Sequence, residues 1–151
     1  MEALTPEQTP ARLCELSADA RAAVLLDAAG ALAGSSEDDP DRARALGEMT
    51  RELMEAVDAA GGEPAEQVEV QVPGGAVYAS RNPRWTLAVV ARRSALSSLM
   101  LWDLRAVLGE LDGAPPIRRA VAVEPAQDGP ATEEAAAGES PVPELGAELE
   151  P

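Results

Sequence analysis

The side chains that most often carry chemistry in proteins are scarce in this chain. It has no histidine and no lysine, its single cysteine is Cys14, and all 12 cationic residues are arginine. Without histidine, Ser-His and Cys-His pairs, imidazole acid–base chemistry and histidine-ligated metal sites are all excluded. A lone cysteine makes neither an intramolecular disulfide nor a typical zinc site.

Carboxylates are abundant but are not arranged as a catalytic set. The chain has 27 Asp and Glu residues, and most lie in charge-rich segments that are typical of a solvated surface. No glycine-rich loop of the Walker or dinucleotide-binding type occurs in the sequence. The residues therefore predict a protein that is not an enzyme and that uses no cofactor or metal.

The charge balance restricts the partners of this protein. The formal net charge at pH 7 is −15, which opposes binding to a phosphate backbone or to an anionic membrane surface. The N-terminal sequence MEALTPEQTP lacks the basic and apolar regions of a secretory signal, and no apolar run approaches the roughly 18 residues of a membrane span. With the single cysteine, these features predict a cytoplasmic protein that binds neither nucleic acid nor membrane.

The composition changes after Asp112, which divides the chain into a predicted folded domain, residues 1–112, and a tail, residues 113–151. The tail holds 7 of the 13 prolines, and 8 acidic residues against 2 arginines. Because it has no sustained apolar period, it cannot bury enough surface to offset the entropy of ordering, and we predict a disordered acidic tail. Its residues 117–123 (IRRAVAV) suit a strand, a short docking motif or simply a slightly apolar piece of disordered sequence.

Residues 21–34 (RAAVLLDAAGALAG) allow two interpretations, one alanine-rich helix or two strands that reverse direction between Asp27 and Gly30. The helix would contain Gly30 and Gly34 and would almost lack a polar face. An apolar run of this length fits a buried strand equally well, so periodicity alone does not decide. Glycine in a tight reversal favours the hairpin.

Three segments have the signals of helices. Thr5 opens a capping box and Thr9-Pro10 offers a second start one turn later, which predicts a first helix over about 6–18. Asp39 and Pro40 begin a second helix that ends at Gly61-Gly62. Ser94 is expected to cap a third helix over about 95–111. The inward face of the second helix, at spacings of three and four, comprises Ala43, Leu46, Thr50, Leu53, Met54 and Val57.

Between the second and third helices, the pattern predicts three consecutive strands. Val68, Val70 and Val72 alternate with polar residues, and turns at residues 73–75 and 82–84 precede two further apolar runs. A sheet of three strands gives the segment at 21–34 an edge on which to pair, so the hairpin interpretation becomes the stronger one. The expected order is αββαβββα, with a five-stranded antiparallel sheet and helices on both faces.

The hairpin and the last strand and helix resemble the Roadblock/dynein light-chain family. The family's hairpin pattern, Val-Leu-Val-Asp…Gly-Leu-Val-Leu-Ala, corresponds here to AVLLD at 23–27 and GALA at 30–33. Its small apolar strand, polar link and leucine-rich helix correspond to residues 87–91, 92–94 and 96–111.

This resemblance covers about residues 10–112 and implies a profilin-like fold of the α/β class. Ala31 departs from the family pattern, since the family often has a larger apolar residue there, and the acidic tail has no counterpart in the pattern. The family has no catalytic motif, in agreement with the residues of this chain.

The resemblance also implies a dimer, formed with a second copy or with a paralogous Roadblock protein. In this family two subunits join their sheets edge to edge and pack their second helices together, and small residues such as Ala43 and Gly47 would admit a close helix. The implied interface residues are Ala43, Leu46, Gly47, Thr50, Leu53, Met54, Val57, Val68, Val70 and Val72. In the alternative interpretation, Leu46, Leu53 and Val57 face only their own sheet.

Members of this family mostly scaffold or regulate Ras-like small GTPases, so the resemblance implies such a partner. Arg81, Arg84, Arg92 and Arg93 lie near predicted turns, where one of them would be able to act as an arginine finger. The simpler interpretation is that all four are solvated surface residues. Two other functions stay open at this point, namely a small-molecule sensor or ligand-binding module and a structural adaptor that acts through its acidic tail.

Overall fold

The computed structural model describes residues 3–116, which form three helices and five strands in the predicted order αββαβββα. The helices are α1 (Thr9–Leu16), α2 (Pro40–Gly61) and α3 (Ser97–Leu111). The strands are β1 (Ala20–Asp27), β2 (Leu32–Ser35), β3 (Gln67–Val72), β4 (Gly75–Arg81) and β5 (Trp85–Arg92). The predicted strand or docking motif at 117–123 and the rest of the predicted tail beyond it lie outside the described residues.

The five strands make one antiparallel sheet in the order β2-β1-β5-β4-β3. The central strand β5 pairs with β1 on one side and with β4 on the other, and its side chains are buried on both faces over most of its length. This placement agrees with its nearly unbroken apolar sequence, because a strand covered on both faces has no solvent-facing side to make polar. The predicted fold class, sheet and strand order along the chain are confirmed.

The segment at 21–34 forms the hairpin rather than a helix. Asp27 caps the reversal, since its Oδ1 accepts hydrogen bonds from the backbone N–H groups of Ala29 and Ala31, each at 2.9 Å. Gly30 has a φ of 85°, a conformation that glycine adopts without steric cost. The turn therefore depends on the two residues that the sequence singled out.

The sheet has a helix layer on each face, as predicted. Helices α1 and α3 cover one face and enclose the larger core, which includes Leu13, Leu25, Tyr78 and Leu104. Helix α2 covers the other face, and Met54 packs there in a smaller core with residues from β1, β3, β4 and β5. No helix within residues 3–116 is long and apolar enough to cross a membrane.

Helix α1 begins three residues later than predicted. Thr5 and Gln8 exchange the two hydrogen bonds of a capping box, at 3.2 and 3.3 Å, but residues 6–8 form a turn and the helix starts at Thr9. Pro10 explains the shift, because it has no N–H to bond back to the carbonyl of Pro6 and is tolerated only in the first turn of a helix. The second start signal, Thr9-Pro10, is the one used.

Helix α3 also begins later than predicted, at Ser97 with Leu96 as its N-cap residue. The hydroxyl of Ser94 does not cap this helix. It donates instead to Asp19 Oδ1 at 3.0 Å and ties the start of the α3 segment to the loop before β1. By contrast, α2 begins as predicted, because Asp39 accepts from the N–H of Asp41 at 2.9 Å and Pro40 is its first residue.

Candidate functional site

The strand order leaves β3 at one edge of the sheet. β3 has six residues and, among residues 3–116, pairs with β4 alone, so no described strand lies beside its other edge. Unpaired N–H and C=O groups along a strand of this length invite pairing with another chain. The opposite edge is formed by β2, which is only four residues long and follows a register shift in β1. β3 is therefore the better edge for pairing with a second chain.

Helix α2 covers only part of its face of the sheet. Its backbone lies nearest to β1 and β2, whereas β3, at the far edge of the sheet, meets α2 through side chains of the smaller core, such as Val68 near Met54. On this face of β3, Val68 is buried, Val70 is partly buried and Val72 is 36% exposed. Exposure thus increases along the strand as the cover given by α2 is lost.

One flank of α2 completes the uncovered region. Leu46, Leu53 and Val57 are only partly buried at the margin of the smaller core, and Met49 between them is 39% exposed. Sequence reasoning missed Met49, although its spacing of three from Leu46 and four from Leu53 places it on the same flank. We name this combined region the α2–β3 surface, and it comprises Leu46, Met49, Leu53, Val57, Val70 and Val72.

The structure divides the predicted dimer-interface residues into two groups. Leu46, Leu53, Val57, Val70 and Val72 keep exposed area and lie together in the α2–β3 surface. The others are buried within the chain itself and leave a partner little side-chain area to contact. These are Ala43, Gly47, Thr50, Met54 and Val68.

Gly47 has a role inside the chain. A Cβ atom added there would lie 3.4 Å from Leu32 Cδ1 and 3.6 Å from Leu26 Cδ2. The small residue thus lets α2 lie close to the β1–β2 hairpin of its own subunit. Thr50 is also turned inward, and its hydroxyl donates to the carbonyl of Leu46 at 2.8 Å.

A charged clamp sets the position of α2 relative to the end of the sheet near β3. Arg81, at the end of β4, donates from Nη1 and Nη2 to the two carboxylate oxygens of Asp58 on α2, at 2.9 and 2.7 Å. Its Nε donates to the carbonyl of Ala65 in the loop that leads into β3, at 3.0 Å. Asp58 also accepts from the N–H of Ala65, at 2.9 Å. Three segments are therefore joined through one guanidinium and one carboxylate.

The clamp holds the pKa of Asp58 below its usual range, because hydrogen bonds from Arg81 and from the Ala65 N–H both favour the carboxylate. A carboxyl with a lowered native pKa stabilises the fold fully above its unfolded pKa of about 3.9, and this stabilisation is lost as the pH falls through the native value. We therefore expect Asp58→Asn to lower the urea midpoint of unfolding at pH 7. We also expect the midpoint of this variant to fall less steeply than that of the parent as the pH is lowered below about 4.

Urea titrations from neutral to strongly acidic pH check this expectation. Asp41→Asn is the matched control, since it removes one carboxylate from the same helix at a side chain that is 85% exposed and pairs with the exposed Arg44. Exposed pairs of this kind contribute little, so the control is expected to unfold near the parent midpoint at pH 7. Equal midpoints for Asp58→Asn and the parent at pH 7 would show that the clamp does not stabilise the fold.

The four arginines that sequence analysis considered for catalysis have different environments. Arg81 is half-buried in the clamp, so its interpretation as a solvated surface residue is wrong, and its three donor nitrogens are occupied. Arg84 stacks 5.7 Å from the centre of the Trp85 ring and lies 3.4 Å from Asp112. Arg92 and Arg93 are exposed near the end of β5. The structure does not bring the four together at one place.

Cys14 has no environment that would activate it. Burial raises the pKa of its thiol, and a hydrogen bond with Ser36 offsets only part of that effect. At neutral pH the thiol is therefore protonated and weakly nucleophilic. Within residues 3–116, no three Cys, Asp or Glu side chains are placed to hold a metal ion.

An αββαβββα domain with a five-stranded antiparallel sheet, two helices on one face and one on the other, defines a profilin-like class of proteins. Within that class, the fold is that of Roadblock/LC7 domains. Comparison with a Roadblock/LC7 domain from Streptomyces avermitilis gives a TM-score of 0.64 at 21% identity, over 72% of this chain and 95% of that one.

Two bacterial MglB proteins share the same fold. Myxococcus xanthus MglB matches with a TM-score of 0.56 at 19% identity, over 69% of this chain and 84% of that one. The gliding protein MglB from Thermus thermophilus matches with a TM-score of 0.53 at 16% identity, over 73% and 93%. No family model matches the sequence, and no curated protein matches it. The Roadblock resemblance is thus confirmed for the fold.

Proposed function

We propose that this chain is a non-enzymatic, dimeric regulator or scaffold of a Ras-like small GTPase in the bacterial cytoplasm. The observation that supports the proposal most directly is the α2–β3 surface, an apolar region of a Roadblock fold that continues into β3, an edge strand of the described sheet. Such a surface suits a second Roadblock subunit, either another copy or a paralogue, because it offers backbone pairing and apolar burial side by side.

Edge-to-edge pairing of two β3 strands would make a continuous ten-stranded sheet, with the two α2 helices adjacent on one face. Residues that keep exposed area, among them Leu53 and Val70, would then become buried between subunits. The buried members of the predicted set, such as Thr50 and Met54, would lie within each subunit beneath the interface residues and would not contact the partner. One solved MglB structure, with a TM-score of 0.51 at 13% identity, has a tetrameric arrangement, which is consistent with self-association in this fold.

The GTPase partner follows from the Roadblock resemblance. A non-enzymatic regulator would act on a GTPase through binding energy alone. If it bound one nucleotide state more tightly than the other, it would shift the GTPase towards that state by the ratio of the two affinities. If it bound both equally, it would serve to place the GTPase without changing its state.

Binding to purified Ras-like GTPases from the same organism tests the proposal. Each GTPase is immobilised once with GDP and once with a non-hydrolysable GTP analogue, and the full chain is passed over both. For a regulator, we expect a preference for one state of about tenfold or more, equivalent to about 1.4 kcal/mol. Comparable affinities would identify a scaffold, and absence of binding to both states would contradict the proposal.

A further inference from the structure

Strand β3 presents different side chains on its two faces. Its valines lie on the α2 side, whereas Gln67, Glu69 and Gln71 alternate with them on the α3 side and are all exposed. The carboxylate of Glu69 is fixed there, because its Oε2 accepts from Ser97 Oγ of α3 at 2.6 Å and from Gln71 Nε2 at 2.8 Å. Ser97 Oγ in turn lies 3.3 Å from the hydroxyl of the buried Tyr78. The polar side of β3 is therefore tied to the start of α3.

The backbone groups that β3 offers to another strand belong to the same polar residues. Alternate residues of an antiparallel strand direct both their N–H and C=O groups to the same side. The carbonyl of Glu66 accepts from the N–H of Arg81 in β4 at 2.8 Å, so the even-numbered residues of this segment pair towards β4. The backbone groups of Gln67, Glu69 and Gln71 consequently point away from β4, towards any strand added at this edge.

Symmetry restricts how two copies of β3 pair. In a two-fold dimer the same edge meets itself, so the two strands are antiparallel and one residue lies opposite its own copy. All other opposite residues also share a face of the sheet. With Val68 or Gln71 at the centre, only three of the six residues of β3 lie opposite a residue of the other β3, whereas Glu69 or Val70 at the centre gives five. Two registers therefore compete.

The register centred on Glu69 is disfavoured by charge. It places two glutamates directly opposite each other, where like charges are destabilising, and it places Val72 opposite the exposed Glu66 of the other copy. Turning Glu69 away would break its hydrogen bonds within the chain. Among residues 3–116 no arginine forms an ion pair with Glu69. Arg105 of α3 instead lines a groove beside Glu66 and Gln67, at the start of β3.

The register centred on Val70 has no such conflict. On the α2 side it places Val70 opposite Val70 and Val68 opposite Val72, so the apolar side chains of the α2–β3 surface meet across the axis. On the α3 side it places Glu69 opposite Gln71. An amide nitrogen has two N–H donors, and Gln71 uses one of them for Glu69 of its own chain. The other donor is left for Glu69 of the second copy.

We propose that the dimer of the proposed function, on which this inference rests, pairs its two β3 strands with Val70 opposite Val70 of the second copy. Glu69 and Gln71 select this register, and the two-fold axis repeats their contact twice. The same pair restricts the partner, because a subunit with a carboxylate opposite Glu69 is rejected and one with an amide or a cation is accepted. A second copy of this chain meets that requirement.

Disulfide trapping in the full chain tests the register. Every chain carries Cys14→Ser, which removes the single native thiol. Val70→Cys puts a thiol at the proposed centre, where Cα atoms of a non-hydrogen-bonded pair lie about 4.5 Å apart, within the roughly 4.4–6.8 Å that a disulfide spans. Glu69→Cys is the matched control, because in this register its two copies are diagonal neighbours about 7–8 Å apart. With oxidised glutathione as oxidant, we expect Val70→Cys to cross-link about fivefold faster or more than Glu69→Cys.

Exchanging the charge across the proposed pair gives a second readout. Gln71→Glu puts a carboxylate opposite each Glu69 and is expected to weaken dimerisation by about threefold or more, measured by light scattering over a dilution series. Glu69→Gln/Gln71→Glu restores one carboxylate and one amide to each cross-strand pair, so we expect it to dimerise like the parent. In the competing register Gln71 lies opposite Gln67, and Gln71→Glu alone would leave the affinity unchanged.

The possible failures are distinguishable. Faster cross-linking of Glu69→Cys than of Val70→Cys would overturn the register and leave the dimer standing. A dimer in which neither thiol cross-links would show that the two β3 edges do not pair. A Cys14→Ser chain that is monomeric before oxidation would contradict the dimer itself, and the register with it. None of these measurements involves a GTPase, so a failed GTPase-binding experiment does not change their interpretation.

Discussion

Val70→Lys is expected to convert a dimer of this chain into a monomer. Val70 belongs to the α2–β3 surface and lies on the face of β3 that shares the smaller core with α2. In a paired dimer its side chain would be enclosed between the two subunits, and a lysine there would bury an unpaired charge at a cost of about 3 kcal/mol or more. That cost corresponds to a weakening of dimerisation by on the order of a hundredfold.

Light scattering of the full chain measures this result directly. The parent is expected at twice the 15.6 kDa of one chain, and Val70→Lys is expected at the mass of one chain. Gln71→Lys is the matched control, because it adds the same charge to the next residue of the same strand but on the opposite face, where Gln71 is exposed and donates to Glu69. Circular dichroism establishes that both variants are folded.

Each alternative mass has a definite meaning. A parent chain that is monomeric at micromolar concentration would contradict the dimer. A dimer that survives Val70→Lys would show that subunits associate through another surface, and the α2–β3 surface would then be free for a different partner. Loss of the dimer in both Lys variants would indicate that charge anywhere on the β3 edge, rather than burial of Val70, prevents pairing.

Leu25→Ala is expected to have the largest effect on stability. Leu25 lies in β1 between β2 and β5, it is fully buried in the larger core, and its neighbours there include Leu87, its partner in the strand pairing. Truncation removes apolar contacts and leaves a cavity, which costs about 2–5 kcal/mol. This cost is a large part of a typical total stability of about 5–15 kcal/mol. The core has no phenylalanine to compensate for the lost volume.

Urea unfolding measures the change in the free energy of unfolding. The protein concentration is kept fixed, because association would otherwise alter the apparent stability. Leu32→Ala in β2 is the control, because it is the same truncation at a side chain that is 43% exposed. We expect the control to cost less than about 1.5 kcal/mol, in proportion to the smaller area that it buries. Similar losses for the two variants would show that the core around Leu25 relaxes to fill the cavity.

The element order of this protein was predictable because each element carries a local signal. Asp39 and Pro40 start α2, and the alternation of Val68, Val70 and Val72 identifies β3, through interactions between residues that are close in sequence. The hairpin at 21–34 needed one non-local argument, namely that a neighbouring sheet offered an edge. The two late helix starts show the limit, since Pro10 moves the start of α1, and Ser94 hydrogen-bonds the distant Asp19 instead of capping α3.

The candidate surface was only partly predictable. Periodicity identified the apolar flank of α2, but it does not distinguish side chains that face their own sheet from those left for a partner, and Thr50 and Gly47 prove to be of the first kind. That division depends on where α2 lies across the sheet. The Arg81–Asp58 clamp and the Arg12–Glu110 pair were likewise not predictable, because they join residues 23 and 98 positions apart.

The sequence by itself determined which catalytic residue types and motifs this protein lacks. It has no histidine, no reactive cysteine pair and no phosphate-binding loop, and these absences of residue types and motifs hold for any fold. It also determined the alternation of helices and strands, because hydrophobic periods and caps act within a few residues. Only the tertiary structure decided that β3 is an edge strand of the described sheet, that Val70 and Val72 keep exposed area beside α2 and that Trp102 is half exposed. Exposure is a property of how distant elements pack, and neighbouring residues do not encode it.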